Sequence, residues 1–182
     1  MKATSLFPSF LPGLKVTQAT FNEAELLISV QSQKSSAHCP KCHAASVHHH
    51  SSYWRTVQDT PIGLTTVRLQ IRVRRFRCIN QACARKTFAE QYPQLVGRRR
   101  QRSKRLMSNL TNIALALGGK AGARLADKLV MTASASTLLR LLHQLEAPLV
   151  ETPRIIGIDD WAFRKGRDYG TIIVEGEARD TL

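Results

Sequence analysis

The chain contains four cysteines, and they fall into two tight pairs: Cys39-Pro40-Lys41-Cys42, and Cys78-Ile79-Asn80-Gln81-Ala82-Cys83. Two residues between cysteines let a short turn point both sulfurs inward, with backbone N–H groups left to bond the thiolates. Two such turns, brought together by intervening strands, supply the four soft ligands of a tetrahedral structural zinc site. The pairing uses every cysteine and strands no thiol. Thirty-five residues separate the pairs, more than a short ribbon loop holds, so the insert carries structure of its own. With all four positions filled, such a site is structural, and nothing in it is catalytic.

The alternative is two disulfides, for which four cysteines allow three connectivities. Disulfides belong to oxidising compartments. Residues 1–16 are interrupted by Pro8, Pro12 and Gly13, with no small-residue cleavage site after them, so nothing there reads as an export signal. Zinc is therefore the preferred reading, and a bacterial cytoplasmic, nucleoid-associated location the expectation. His38, His43 or one of His48-His49-His50 could replace a cysteine as ligand; four available thiolates favour these histidines as loop residues near the metal.

The charge says what the module meets. Across 182 residues the formal net charge is +14, a balance that points to a polyanion, most plausibly nucleic acid. Between Trp54 and Arg105 there are fourteen Lys/Arg against two acids, Asp59 and Glu90. Few aromatics accompany this charge, which suits phosphate contact more than base reading. No run of eighteen apolar residues occurs, so no membrane span is expected, and no basic amphipathic helix with a large aromatic face suggests a membrane surface.

Residues 14–33 read as a hairpin: Leu14 to Thr17, a turn near Asn22-Glu23, then Leu26 to Val30. Asp59-Thr60-Pro61-Ile62-Gly63 reads as a turn. After it, Val67, Leu69, Ile71 and Val73 alternate with Arg68, Gln70, Arg72 and Arg74, an apolar face inward and a basic face outward. Arg75-Phe76-Arg77 shifts the parity and suggests a bulge before the second cysteine pair. An arginine ladder is often just a solvated strand face. Here the uniform sign and the planar fork of Arg favour phosphate tracking by Arg68, Arg72, Arg74, Arg75 and Arg77.

Gly97 to Arg105 is strongly basic, with Arg98, Arg99, Arg100 and Arg102, and reads as a mobile linker lying along DNA. From Ser103 the period becomes helical. Leu106, Leu110, Ile113, Ala114 and Leu117 form one stripe ended by Gly118-Gly119. A second helix over 120–130 buries Ala123, Leu125, Ala126 and Leu129. Ser134 or Ser136 caps a third helix with Leu138, Leu141, Leu142 and Leu145 inside, stopped by Pro148. The pattern suits a trihelical helix-turn-helix, which would present Ser136, Thr137, Arg140 and His143 to the major groove. A three-helix bundle used only for packing fits the pattern equally, and the charge context favours DNA.

Beyond Pro153, Arg154 to Asp160 reads as a buried apolar strand ending in carboxylates. Trp161 to Gly166 reads as a reversal, and Tyr169 to Val174 as a second strand. A carboxylate at the end of a buried strand is where two-metal phosphodiester chemistry holds its first acid. Alone this is a weak signal.

These segments together resemble the N-terminal part of a transposase of the insertion-sequence ISL-three family. The resemblance rests on Cys39-Pro40-x-Cys42, His50-x-x-Tyr53-x-Arg55, Asp59-x-Pro61-x-Gly63, Arg74-Arg75-Phe76-x-Cys78 and Cys83-x-Arg85-x-x-Phe88-x-Glu90. It continues through Thr137-Leu138-Leu139-Arg140, Gly157-Ile158-Asp159-Asp160-Trp161-Ala162, Arg164-Lys165-Gly166 and Tyr169-Gly170-Thr171. It implies an α+β chain: a zinc-ribbon-like β-rich domain over 1–97, a basic linker over 98–105, a helix-turn-helix over 106–150, and the first hairpin of an RNase H-like DDE domain over 151–182. Carried over by position, Asp159 is the first acid of the DDE set, and magnesium is implied only for a complete catalytic domain.

The implied partner is double-stranded DNA at transposon-end inverted repeats, with a second copy or an intact transposase as protein partner. The sequence departs from the family at Glu175-Gly176-Glu177, where Asp is usual, and reaches Leu182 before the other two acids. A frameshift or another truncation is the expectation there, and with it a chain that is inactive alone. The alternative function is a DNA-binding regulator that occupies transposon ends or other sites.

Overall fold

The computed structural model describes residues 10–22, 24–146, 155–164 and 166–175. Two compact units are present, Met1–Leu145 and Glu146–Leu182.

In the first unit, β1 (Leu14–Phe21) and β2 (Glu25–Ser32) form the expected hairpin. Asn22 closes it, its side-chain oxygen accepting from the backbone N–H of Glu25 at 2.8 Å. Two short strands, β3 (Ala37–His38) and β4 (Ala45–Ser46), pair around the first cysteine turn. Two long strands follow, β5 (His49–Ile62) and β6 (Thr65–Arg77), and then β7 (Thr87–Ala89). The sheet order is β1-β2-β6-β5, with β7 also on β6. β2 runs parallel to β6, and every other pair is antiparallel.

The alternation in β6 works as the sequence implies. Val67, Leu69, Ile71 and Val73 are buried in one cluster with Val57, Ile28, Val30, Leu11, Leu95 and Val96. Each fully buried aliphatic side chain of this kind contributes roughly 1.5–3 kcal/mol. The parity change at Phe76 has a different cause from the one expected. The register jumps from His49↔Phe76 to Ser51↔Arg75, so the extra residue is His50, in β5. Phe76 simply points the other way from Val73, into a second cluster with Cys39, Cys83 and Phe88.

The turn expected at 59–63 also moves. β5 continues to Ile62, and Thr60 and Pro61 together oppose Thr66 as a bulge, a position that suits a residue without an N–H. The reversal itself is at Gly63, whose φ of 59° lies in the left-handed region.

Three helices complete the unit: α1 (Lys104–Leu117), α2 (Lys120–Lys128) and α3 (Ala135–Leu142). The Ser103 hydroxyl caps α1 by accepting from Leu106 N–H at 3.1 Å, and Gly118, at φ 67°, ends it. Ser134 rather than Ser136 caps α3. Leu106, Leu110, Ala114, Ala126, Leu138 and Leu141 form their core. Gly122 is buried in α2, and a Cβ there would stand 2.9 Å from Leu138 Cδ1, so any side chain at this position would have to displace Leu138. Four leucines assigned to the inner faces are instead well exposed: Leu117, Leu125, Leu129 and Leu145. With three short helices the covered stripe is narrow, and leucines at its flanks stay outside. α3 ends at Leu142 with His143 as its cap; Pro148 lies outside the described residues.

The stretch read as a mobile linker is tied down at its far end. Gln58 N–H donates to Gln101 O at 2.8 Å, and Ser103 N–H donates to Gln58 O at 2.9 Å. Residues 101–103 thereby run parallel to β5 along its free edge.

The second unit is a hairpin of β8 (Ile156–Arg164) and β9 (Asp168–Glu175). The strand expected to be buried is exposed at Ile155, Ile156 and Ile158, because the described sheet has only two strands. The reversal expected over 161–166 falls later. Trp161 and Ala162 pair with Gly170 and Tyr169 within the hairpin, and Lys165 lies outside the described residues.

Candidate metal centre and nucleic-acid interface

The two cysteine turns face each other. In the first, Cys39 N–H bonds Ala44 O at 2.9 Å and His43 N–H bonds Cys39 O at 2.8 Å. His43 takes a φ of 60° there. In the second, Cys78 N–H bonds Lys86 O at 2.9 Å and Cys83 N–H bonds Asn80 O at 3.1 Å. The β6–β7 pairing, with Phe76 opposite Phe88, holds this turn against the first. The four sulfurs lie within 4.8 Å of one another, and Cys42 Sγ is 3.5 Å from Cys78 Sγ.

That cluster fits zinc. Four thiolates at about 2.3 Å from one ion stand about 3.8 Å apart, close to the spacing seen. Burial opposes ionisation of Cys39, yet the N–H groups of Cys42 and Lys41 and the thiols of Cys42 and Cys78 outweigh it and bring its pKa down to about 6. At Cys78, burial and the crowding thiols of Cys42, Cys39 and Cys83 push the pKa up to about 12, despite an N–H from Asn80. Four thiolates this close repel one another, so the cluster holds its full charge only around a cation. Among the described residues no histidine joins the group.

Residues 35–83, which span both cysteine turns and β3 to β6, match the family described as the zinc-finger of transposase IS204/IS1001/IS1096/IS1165. Residues 35–83 are thus similar to the zinc finger of ISL-three-type transposases. Zinc in this module is structural, as a closed four-cysteine set requires. No curated protein and no solved structure matches the chain.

Arginines near the four-cysteine module divide by what they touch. Arg74 donates to both carboxylate oxygens of buried Glu90, at 3.0 and 2.9 Å, and lies over the Phe76 ring. Pairing with Glu90 raises its pKa further. Tyr92 donates to the same carboxylate at 2.9 Å, and burial together with the Glu90 charge pushes its phenol up. Arg75 donates to Thr87 Oγ1 at 2.9 Å. Arg72 is exposed beside Ser52, Arg77 is exposed, and Arg68 pairs with Glu25 at 3.1 Å.

A groove of about 830 Å³ collects several of the others. Thr56, Gln58 and Arg68 line one wall, Arg99, Arg100 and Arg102 the rim, and Thr137, Arg140 and Gln144 the other wall. Arg98 and Ser136 are exposed but not among its lining. Sequence reasoning named Arg68, Arg99, Arg100, Arg102, Thr137 and Arg140 as DNA contacts, and all line this groove; it missed the bonds by which Arg55, Arg102 and Asp59 hold the groove together. Arg55 donates to Gly97 O at 3.0 Å and to Arg100 O. Arg102 donates to Gln58 Oε1 at 3.5 Å and to Thr132 O at 3.0 Å, joining β5 to the turn before α3. Asp59, fully buried, accepts from Ser103 Oγ at 2.6 Å, from Arg105 Nε at 2.6 Å, and from Arg105 Nη2. The signal available for Asp59 was its charge: it is one of only two acids between Trp54 and Arg105.

In the second unit, Asp159 is exposed and pairs with Ile172 across the hairpin. Its neighbour Asp160 accepts from Thr171 Oγ1 at 2.9 Å.

Proposed function

We propose that this chain is the DNA-binding part of an insertion-sequence transposase, recognising the inverted repeats at the ends of its element. The observation that carries this reading is the fourteen-to-two excess of basic over acidic residues between Trp54 and Arg105, mounted on a transposase zinc finger. Such a field draws duplex DNA and neutralises its phosphates. The three helices act as a trihelical helix-turn-helix with α3 as the reading element. Ser136 and Arg140 are exposed on it, and Arg140 has the fork that pairs with guanine in a major groove. Zinc has no chemical step to perform; it holds the two cysteine turns so that β5 and β6 keep their basic side chains in register.

The division into a zinc domain over 1–97, a connecting segment over 98–105, the helices over 106–150 and a catalytic-domain start over 151–182 belongs to the same proposal. In it, the β8–β9 hairpin opens an RNase H-like domain and Asp159 is the first of its metal-binding acids.

The test is a competition. Zinc-loaded protein is offered labelled inverted-repeat duplex against unlabelled scrambled duplex at rising salt. The proposal expects the preference for the repeat to survive as total affinity falls, since phosphate contacts weaken with salt and base contacts do not. Equal competition by both duplexes at every salt concentration would reduce the protein to a non-specific polyanion binder.

A further inference from the structure

We propose that the groove between the β5–β6 sheet face and α3 is one composite site for a phosphate backbone of duplex DNA, so that the zinc module and the helices grip the DNA as a single surface. This rests on the DNA-binding reading above and adds which residues share the grip. Three observations converge on it.

The lining carries five arginines, Arg68, Arg99, Arg100, Arg102 and Arg140, and none of the described lining residues is acidic. Like charges gathered in a concave, partly desolvated site repel one another unless an anion enters. Threonines and glutamines make up most of the rest, beside Met107, Val130 and Leu141, and add neutral donors that suit phosphate oxygens.

The basic rim is built rather than trailing. Arg55 ties down the carbonyls of Gly97 and Arg100, and Arg99 between them is held at φ 58°. A non-glycine residue keeps that conformation only where its surroundings determine it. Its exposed side chain is thereby aimed from a fixed backbone.

The walls are also locked together. Asp59 from the sheet holds Arg105 and the capping Ser103 of α1, and Arg102 crosses from β5 to Thr132 before α3. The spacing between Arg68 and Arg140 is thus set inside the protein before DNA arrives, which limits the ordering cost of binding. Glu25 competes for the groove through its ion pair with Arg68.

Two substitutions of matched charge test the site on a 30-base-pair inverted-repeat duplex. Arg100→Ala/Arg140→Ala removes one arginine from the rim and one from α3. Lys15→Ala/Lys86→Ala removes the same charge from exposed positions outside the groove. Zinc content and thermal unfolding are checked for both. The groove pair is expected to weaken binding at least about tenfold and to shallow the salt dependence by about two counterions, while the outer pair stays within about threefold. Equal losses for both pairs would overturn the groove while leaving DNA binding intact. Failure of the unaltered protein to bind the duplex would remove the functional reading as well.

Glu25→Gln supplies a gain that mere damage cannot imitate. Freeing Arg68 is expected to tighten binding about two- to fivefold, in line with the small worth of an exposed pair. No gain would take the sheet wall out of the site and overturn the composite reading. Tighter binding of a 30-nucleotide single strand than of the duplex would overturn the assignment of the ligand.

Discussion

Asp59 shows how far a single residue's role can lie from its local sequence. Asp-Thr-Pro-Ile-Gly has the composition of a turn, yet the strand runs on through it and the carboxylate is buried against Ser103 and Arg105, more than forty positions away. Removing one partner of a buried pair leaves the other uncompensated, at a cost of roughly 3–5 kcal/mol. Arg105→Met is therefore expected to lower unfolding stability by roughly 3 kcal/mol, near the lower bound because Arg105 keeps a third of its side chain in solvent. Urea unfolding with zinc present measures it. Asp59→Asn, which removes the buried charge itself, should cost less than Arg105→Met; a larger loss would mean that the carboxylate does more than answer Arg105. Arg74 and Glu90 form the same kind of pair, so of the arginines in β6 it is the one most committed to the fold.

At the scale of elements, what the sequence made legible is what periodicity and spacing control. The alternation over 67–73 placed four buried residues because a strand face is either in or out. The cysteine spacing announced its chemistry without any knowledge of the strands around it. The helices were found by their apolar period, with Gly118 ending the first and Ser134 one of two caps offered for the third, while the depth of their apolar faces was not. Leu125 and Leu129 stay exposed because periodicity gives a direction and says nothing of how much neighbouring surface exists to cover it. The isoleucines of β8 were read as buried for a related reason: an apolar run implies two covered faces only if a sheet continues on either side.

Two predictions belong to this scale. Gly122→Val places branched carbons where a single Cβ already meets Leu138 at 2.9 Å, and is expected to cost about 1–3 kcal/mol. Loss of helical signal at lower temperature would show it; an unchanged midpoint would mean that α2 and α3 separate freely. Removing zinc is expected to loosen the cluster of Cys39, Cys83, Phe76 and Phe88 before the helices, whose core is separate. Amide exchange with chelator should therefore rise first over 37–50 and 76–89, and α1 should keep its protection. Simultaneous loss in both regions would make the first unit a single cooperative block.

At the scale of the whole molecule, the parts that no local pattern could disclose are those made by contacts between distant segments. The sequence shows a basic run after Gly97; only the fold shows that it is bound along β5 and faces α3 across a groove. The sheet and the helices thereby line one arginine-rich groove, and in the proposed function the metal keeps the strands that carry it in register. The account predicts that DNA affinity follows zinc occupancy. The direct measurement is the affinity for the inverted-repeat duplex at fixed salt, first with zinc bound, then after chelation, then with zinc restored. A loss of tenfold or more on chelation, recovered with zinc, is the result expected if zinc shapes the binding surface. Unchanged affinity without zinc would contradict it and leave the four cysteines unconnected to DNA.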